Sequence, residues 1–333
     1  MSDSADKPLS EQASSELGDD DLVIDEFFRG YAGRRLKAAI ALITLWLLTA
    51  FLHSFIWGNQ LVLVATGLIA IHTLRVMLAK PRSAPAPLPT MNSSAALSDS
   101  ALSSSYPSDS HSADAITTDP ERWPYVSLLV AAKNEEHVIG NLVEALLQID
   151  YPATRYDLWF INDNSSDRTA QILDDLSALY PRLNVVHRGP DATGGKSGAL
   201  NLVWPKTKGD LLAVFDADAR VPQDLLRYVV PMFDPQLGGS SKTGAVQVRK
   251  AIANASDNFW TRGQKAEMAL DCHMQERRIA IGGIGELRGN GQFVRRRAIA
   301  QCGGWNEETI TDDLDLTIQL HLHQWDIGLL FTP

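Results

Sequence analysis

Leu211-Leu-Ala-Val-Phe-Asp-Ala-Asp218 is the stretch that most directly indicates the fold, because an apolar run ends there in two carboxylates. A short run that is apolar at nearly every position is typical of a strand buried on both faces of a parallel sheet. In open α/β sheets the ligand binds outside the carboxyl ends of the strands. Asp216 and Asp218 are therefore expected at a binding site.

Three further strands are predicted upstream, each followed by a polar cluster. They occupy residues 126–130, 158–161 and 184–187, and stretches with helical spacing, such as 134–148, separate them. Strands that alternate with helices predict an α/β fold with a mostly parallel sheet. We place this domain at residues 123–333.

The clusters after the second and third of these strands suggest contacts to a nucleotide. Asp163, in Asn162-Asp-Asn-Ser-Ser-Asp167, could accept hydrogen bonds from a base or a ribose, although the same residues would also suit a helix N-cap. Lys196, in Gly194-Gly-Lys-Ser-Gly198, could approach a diphosphate closely. A Walker A loop is not favoured, because that motif needs glycine where the chain has Pro190.

Two carboxylates spaced as Asp216 and Asp218 are suited to a hard divalent cation. Mg²⁺ takes oxygen ligands and commonly bridges one or two carboxylates to substrate phosphates, so the pair predicts a Mg²⁺ site. Alternatively, both aspartates could cap a turn. Phosphatases of the haloacid-dehalogenase type also carry Asp-x-Asp after a strand, but they require Thr or Val two residues after the second aspartate. Here Val221 comes one position too late.

A fifth cluster lies near the carboxyl end of the chain, in Thr311-Asp-Asp313. Thr311 suits a helix N-cap with acidic residues in the first turn. Just upstream, residues 282–291 are dense in glycine, which lets backbone approach a ligand closely. The two features together predict an acceptor pocket with a carboxylate beside it. Its expected border is Gly289, Asn290, Gly291 and Asp312.

Two apolar runs near the amino terminus predict a transmembrane helical hairpin over residues 36–80. The first run covers 38–57 and the second 61–78, and Gly58-Asn59-Gln60 would form the turn between them. About 20 residues of helix span the hydrocarbon core of a bilayer. Lys and Arg flank the hairpin and are absent from the turn, so both ends are predicted to be cytosolic. A soluble helical hairpin is the alternative.

The segments on either side of the hairpin are polar. Residues 1–35 form an acidic tail, predicted to be cytosolic, and residues 81–122 form a linker rich in Ser, Ala and Pro, predicted to be disordered. The formal net charge of -10 argues against nucleic-acid binding. The two cysteines, Cys272 and Cys302, show no metal-ligand spacing and are expected to be reduced.

Taken together, the clusters resemble in order and spacing those of inverting glycosyltransferase family 2, which includes cellulose and hyaluronan synthases. The resemblance covers residues 124–333 and implies the nucleotide-sugar-binding fold called GT-A. It implies that Asp163 contacts the nucleotide and that Lys196 lies on the donor side. It also implies that a metal on Asp216 and Asp218 binds the donor diphosphate. Asp313 matches the last residue of the family's Thr-Glu-Asp signature, which is the general base.

A closer resemblance, to cyanobacterial members of the family that glucosylate a membrane lipid, rests on four further stretches. It implies UDP-glucose as the donor and 1,2-diacylglycerol as the acceptor, in an integral protein of the plasma or thylakoid membrane. A processive, cellulose-like polysaccharide synthase is the main alternative, and a non-catalytic membrane protein is another. The four stretches are Gln247-Val-Arg-Lys250, Asn258-Phe-Trp-Thr-Arg-Gly263, Gly282-Gly-Ile-Gly-Glu-Leu-Arg-Gly-Asn-Gly-Gln-Phe293 and Cys302-Gly-Gly-Trp-Asn-Glu-Glu-Thr309.

The family's pattern continues beyond the residues present here, with a Gln-x-x-Arg-Trp motif, interface helices and further membrane spans. The chain ends at Leu329-Leu-Phe-Thr-Pro333. The resemblance therefore predicts a catalytic domain that is truncated at its carboxyl end. In the family, the missing arginine and tryptophan help to close the donor and acceptor site.

Overall fold

The computed structural model describes residues 31–91, 119–252 and 258–331. The chain divides into two units, the first ending at Leu74 and the second beginning at Arg75. Most of the predicted acidic tail and residues 92–118 of the predicted linker lie outside the described residues. Both assignments stay predictions there.

Two helices form the first part of the described chain, α1 (Tyr31–His53) and α2 (Ile56–Leu78). The break between them falls at residues 54–55, so the predicted turn at Gly58-Asn59-Gln60 was wrong in position. Gly58 lies inside α2, where a Cβ atom would come within 1.4 Å of the carbonyl oxygen of Leu52. The glycine is therefore required for close approach of the backbones at the corner, not for the turn itself.

Length and composition distinguish these two helices. Trp57–Leu78 is long and apolar enough to cross a membrane, whereas the apolar part of α1 that the structure describes, Ala39–His53, is shorter. One helix of the described residues therefore meets the length requirement for a span. A hairpin of two membrane spans stays a prediction.

The second unit is built on a mixed sheet that is mostly parallel. Its strands are β1 (Val126–Ala132), β2 (Tyr156–Asp163), β3 (Leu183–Arg188), β4 (Leu211–Asp216), β5 (Thr243–Val248), β6 (Gln292–Arg295) and β7 (Asp326–Leu330). They are ordered β3-β2-β1-β4-β6-β5-β7. β6 runs antiparallel to β4 and β5, and the remaining neighbours are parallel. The predicted α/β fold with a mostly parallel sheet is confirmed.

Helices cover both faces of this sheet. The described helices of the second unit are α3 (Ile139–Leu147), α4 (Thr169–Leu179), α5 (Gly195–Val203), α6 (Leu225–Val229), α7 (Phe259–Ala280), α8 (Arg296–Cys302) and α9 (Asp312–Leu322). Short 3-10 turns occur at Pro120–Arg122, Trp204–Lys206, Val230–Phe233 and Pro235–Leu237. Buried side chains of α3, α4 and α6 form one core cluster, and those of α5, α8 and α9 form a second.

The apolar runs of the central strands supply both clusters. Successive side chains of a strand point to opposite faces of the sheet. Accordingly Leu128 and Val130 of β1 belong to the first cluster and Leu129 to the second. In β4, likewise, Phe215 belongs to the first cluster and Val214 to the second. Burial on both faces explains why these strands are apolar throughout instead of alternating with polar residues.

Residues 81–91 do not behave as the start of a disordered linker, so that prediction was wrong for this segment. Leu88 is 1% exposed and belongs to the first core cluster. Its N–H donates to the carbonyl oxygen of Arg227 at 3.0 Å, and Arg227 Nε donates to the Leu88 carbonyl at 2.7 Å. The Asp150 carboxylate accepts from Arg227 at 3.0 Å and from the Met91 N–H at 3.1 Å. One leucine among prolines and alanines was too weak a pattern to predict this docking.

We expect Leu88→Ala to lower the free energy of unfolding of the second unit by about 2–5 kcal/mol, because it leaves a cavity in the core. Urea unfolding followed by circular dichroism would measure the change. The matched control is Leu179→Ala on α4, where the leucine is 70% exposed, and we expect a change within about 0.5 kcal/mol. Equal effects of the two substitutions would show that residues 81–91 are not docked in solution.

Candidate active site

Strands β1, β2 and β4 end side by side, which brings three of the polar clusters to one edge of the sheet. Ala131 of β1 pairs with Asp216 of β4, and Ala132 pairs with Asn162 of β2. Because all three strands are parallel, the loops that follow them leave the sheet at the same edge. The structure therefore groups the predicted site residues Asp163, Asp216 and Asp218 there.

Asp163 is organised by a buried arginine that sequence reasoning missed. Arg188 Nη1 lies 2.7 Å from Asp163 Oδ1 and 2.7 Å from the carbonyl oxygen of Gly195, and Arg188 Nη2 donates to the Thr193 carbonyl. Asp163 does not cap the following helix, α4, because Arg168 occupies its N-cap position and no side chain makes a capping bond there. No local signal in the sequence marks this contact, because it depends on the register of β2 against β3, whose last residues, Asp163 and Arg188, are paired.

The Arg188–Asp163 pair is expected to stabilise the fold as well as the site. Arg188→Gln leaves a mostly buried carboxylate unpaired, and we expect a loss of about 3 kcal/mol in the free energy of unfolding. Arg168→Gln is the control, because Arg168 is 75% exposed and pairs with Glu136 at 3.5 Å. Exposed pairs contribute at most about 1 kcal/mol. Chemical denaturation of both variants would measure the difference, and similar losses would contradict a structural role for the pair.

Two loops at this edge hold each other in place. The Asn134 N–H donates to Ser165 Oγ at 2.9 Å, and the Glu135 N–H donates to Thr169 Oγ1 at 2.8 Å. Asn134 has φ 59, a conformation that asparagine tolerates better than most residues. The helix predicted from residue 134 was therefore wrong at its start, because side chains of the second loop take these N–H groups. Helix α3 begins only at Ile139.

The carboxylates at the end of β4 lie in a region of concentrated negative charge. Asp216 Oδ1 is 2.5 Å from Lys196 Nζ, while Asp218 is exposed. Burial raises the pKa of the Glu135 carboxyl, and the charges of Asp218, Asp167 and Asp216 raise it further. Lys196 neutralises only part of this negative charge, and the remainder is suited to a cation.

The carboxylate oxygens of Asp216 and Asp218 at this edge fit a divalent cation of the Mg²⁺ type. Among the described residues, His, Cys, Asp and Glu side chains form no group of three or more that could bind a metal. Asp216 and Asp218 would therefore supply few protein ligands. Mg²⁺ is commonly bound in this way, by one or two carboxylates together with phosphate oxygens and water.

The glycine-dense stretch is tied to the end of β4 through side-chain amides. The Asp216 N–H donates to Asn290 Oδ1 at 3.1 Å. Gln247 Nε2 donates to the Asn290 carbonyl at 2.9 Å, and Gln247 Oε1 accepts from the Arg288 N–H at 2.7 Å. Gln247 is 2% exposed and was not predicted as a site residue, although it stands in one of the quoted stretches. Through these bonds, Gly289, Asn290 and Gly291 lie next to Asp216.

Asp313, the predicted base, lies at the corner formed by Gly289 and Lys250. A Cβ atom on Gly289 would be 3.8 Å from Asp313 Oδ2 and 3.9 Å from Lys250 Nζ. Burial lowers the pKa of the Lys250 ammonium, although the nearby charges of Asp216 and Asp313 oppose this. Lys250 makes no ion pair within 4 Å with any residue that the structure describes. Sequence reasoning assigned this lysine no role.

Asp312 connects α9, the helix that carries the predicted base, to the first turn of α5. Its Oδ2 accepts from Ser197 Oγ at 3.0 Å, and its Oδ1 accepts from the N–H of Asp313 at 3.0 Å. Thr311 occupies the N-cap position of α9 as predicted, but its side chain makes no capping hydrogen bond. The structure thus places Asp312 against Ser197, the residue that follows Lys196.

Comparison with known proteins identifies similar sequences and a similar fold. A family model described as Glycosyltransferase like family 2 matches residues 124–331. Beta-monoglucosyldiacylglycerol synthase of Synechocystis sp. is 53% identical over 309 residues, which are 93% of this chain and 58% of that protein. The Trichormus variabilis protein of the same name is 50% identical over 303 residues, 91% of this chain and 57% of that protein. The chain therefore spans less than two thirds of the length of these relatives.

Among solved structures, the mannosyltransferase PcManGT from Pyrobaculum calidifontis, in complex with GDP-Man and Mn2+, has a similar fold. It superposes with a TM-score of 0.50 at 19% identity, over 64% of this chain and 56% of that chain. At this identity the likeness shows the fold alone. It agrees with the GT-A fold implied by the sequence resemblance.

Proposed function

The chain belongs to glycosyltransferase-like family 2, and on this premise we propose that it transfers glucose from UDP-glucose to 1,2-diacylglycerol. The product would be β-monoglucosyldiacylglycerol, formed with inversion at the anomeric carbon. The names of relatives that are 50–53% identical over more than nine tenths of this chain support glucose as the transferred sugar and diacylglycerol as the acceptor. UDP as the carrier of the glucose is proposed from the sequence resemblance.

The observation that carries the proposal is the gathering of groups that are far apart in sequence. Lys196 contacts Asp216, and Asp313 and Lys250 both approach Gly289. These groups stand at the edge where ligands of α/β sheets bind. They supply the charges that transfer from a sugar diphosphate requires: cationic and metal-binding groups for the leaving diphosphate, and a carboxylate for the attacking hydroxyl.

On the donor side, we assign the nucleotide to Asp163 and the diphosphate to Lys196, Asp216 and Asp218. Arg188 fixes the orientation of the Asp163 carboxylate, which stays partly exposed and able to accept hydrogen bonds. Lys196 would exchange part of its contact with Asp216 for a phosphate oxygen. A divalent cation, Mg²⁺ in our proposal, would neutralise the charge that develops on the departing UDP.

On the acceptor side, Asp313 would take the proton of the acceptor hydroxyl as general base. Its position in the first turn of α9, at the positive end of the helix dipole, favours a negative charge, and its Oδ1 accepts from the Leu314 N–H at 2.8 Å. The hydroxyl oxygen would attack the anomeric carbon from the side opposite the diphosphate. A single displacement of this kind converts an α-linked donor into a β-glycoside.

We further propose that the enzyme is an integral membrane protein with its catalytic domain in the cytosol. One helix with the length and composition of a membrane span lies in the same chain, at Trp57–Leu78. The distribution of Lys and Arg around the predicted hairpin supports the orientation. Both UDP-glucose and a membrane lipid would then be accessible to the site.

The proposal is tested by supplying radiolabelled UDP-glucose and diacylglycerol to membranes that contain the chain, with and without EDTA. We expect a chloroform-soluble monoglucoside that disappears with the chelator and returns with added Mg²⁺. An insoluble labelled polymer would instead establish the polysaccharide synthase. Absence of any labelled product, while UDP still binds, would indicate a non-catalytic protein.

A further inference from the structure

A groove beside the predicted base is not used by the chemistry described so far. It is a cavity of about 710 Å³ between α7 and the end of β5. One end is polar and adjoins the site, since Lys250, Gln247 and Arg288 line it. Arg288 is paired there with Asp271 of α7 at 2.9 Å. The polar end therefore lies next to the corner at which Asp313 meets Gly289.

The rest of the groove is lined mainly by aliphatic and thioether side chains. Ile252, Met268, Met274 and Leu329 form this lining. Methionine is unbranched and adapts to partners of irregular shape. Two polar residues of the lining, Gln264 and Glu267, are exposed and can turn their ends to water. The groove thus combines a charged end at the site with an adaptable apolar wall.

One face of α7 continues the groove outward to an exposed aromatic residue. Trp260, Gln264, Met268 and Asp271 follow one another at intervals of three or four residues, so they share a face of the helix. The distance along the helix from Asp271 to Trp260 is about 16 Å at 1.5 Å per residue. Trp260 is 77% exposed and stacks edge-on with Phe259, which is also 77% exposed. Exposed indoles are enriched at the boundary between a membrane and water.

We propose that this groove binds the acyl part of a lipid alcohol, with the hydroxyl-bearing end at Lys250 and Asp313 and the chains directed along α7 toward Trp260. The inference rests on the function proposed above and specifies where its acceptor binds. The uncharged glycerol end of a diacylglycerol suits the polar end, where Arg288 is already neutralised by Asp271 and Glu286. The acyl chains suit the aliphatic wall.

The lining favours a lipid over a growing glycan. Sugar rings present C–H faces that stack on aromatic side chains, and the lining residues that the structure describes include no Phe, Tyr or Trp. A glycan acceptor would also leave the Ile252, Met268 and Leu329 side chains against polar hydroxyls, which is unfavourable. An acyl chain removes the same side chains from water.

Photo-crosslinking of the unmodified chain tests the location. Phosphatidylcholine vesicles containing the protein and a diacylglycerol with a diazirine in one acyl chain are irradiated, and labelled peptides are identified by mass spectrometry. We expect labelling of the Phe259–Ala280 peptides that unlabelled diacylglycerol suppresses and extra phosphatidylcholine does not. Labelling confined to α1 and α2, or labelling of α7 that diacylglycerol does not reduce, would overturn the proposal.

A substitution in the apolar wall of the groove tests how much that wall contributes to lipid binding. Met268→Glu places a charge in the groove at a side chain that is 37% exposed, so the fold should tolerate it. We expect the KM for dioleoylglycerol to rise about tenfold, because the charged side chain replaces the apolar contact between Met268 and an acyl chain. The KM for UDP-glucose should not change, and the penalty should shrink for dihexanoylglycerol. Leu179→Glu, at an exposed leucine on α4, is the control and should leave both KM values unaltered.

The outcomes separate the two proposals. If the unmodified chain makes glucosyldiacylglycerol but Met268→Glu behaves as the control does, the groove assignment is wrong and the function stands. If no glucosyldiacylglycerol forms, the function fails, and the crosslinking pattern still decides whether the groove binds a lipid alcohol.

Discussion

Replacing Asp313 by asparagine is expected to lower turnover by about 10²- to 10⁴-fold, the usual contribution of a general base. Asparagine keeps the size and most hydrogen bonds of the side chain, including the bond that Oδ1 accepts from the Leu314 N–H at 2.8 Å. It cannot take a proton from the acceptor. Single-turnover measurements with saturating UDP-glucose would isolate the chemical step.

Asp315→Asn is the matched control for this prediction. Asp315 also lies in the first turn of α9, so its substitution removes a similar favourable interaction with the helix N-terminus. That interaction contributes about 0.3–1 kcal/mol to stability and nothing to proton transfer. UDP binding should be normal in both variants, and only Asp313→Asn should lose turnover. Normal turnover in Asp313→Asn would falsify the assignment of the base.

The sheet and the edge that carries the candidate site could be predicted from the sequence. A strongly apolar run indicates a buried strand, and the polar cluster at its end indicates the edge at which a ligand binds. Residues 211–218 are the clearest case. The run must be a strand buried on both faces, and parallel strands end at one edge. The grouping of Asp163 with Asp216 follows from these two rules, without any knowledge of the side-chain contacts.

The partners of the predicted residues could not be found in this way. Arg188 is the last residue of β3, and Lys250 follows Arg249 just after β5. Residue type alone does not distinguish either side chain from a solvated surface charge. Their positions depend on the register of β2 against β3 and on the approach of Gly289 to the end of β5. Such long-range contacts leave no periodic pattern in the sequence.

The errors in the secondary structure predicted from the sequence also arose from packing contacts. The helix predicted from residue 134 starts later because a neighbouring loop supplies partners for the Asn134 and Glu135 N–H groups. Gly58 was assigned to a turn because glycine usually marks one, whereas the structure uses it for close packing against Leu52. The first contact joins residues more than 30 positions apart and the second joins neighbouring helices, and in both cases packing overrode the local preference.

Asp218→Asn is expected to lower kcat/KM for UDP-glucose by at least about 10²-fold. A cation that stabilises a departing diphosphate contributes several kcal/mol, and each 1.36 kcal/mol is a factor of ten in rate. Asp218 is the informative position because its side chain is exposed, whereas the Asp216 side chain pairs with Lys196. Loss of the Asp218 charge therefore weakens metal binding without disturbing the protein contacts of the site.

Calorimetric titration of UDP against Asp218→Asn, with and without Mg²⁺ or Mn²⁺, measures this effect independently of turnover. The unmodified chain should bind UDP more tightly when a divalent cation is present, and the variant should lose most of that gain. Asp224→Asn is the control, since Asp224 precedes α6 and makes no side-chain capping bond. A variant whose UDP affinity still rises with metal as in the unmodified chain would mean that the cation is bound elsewhere.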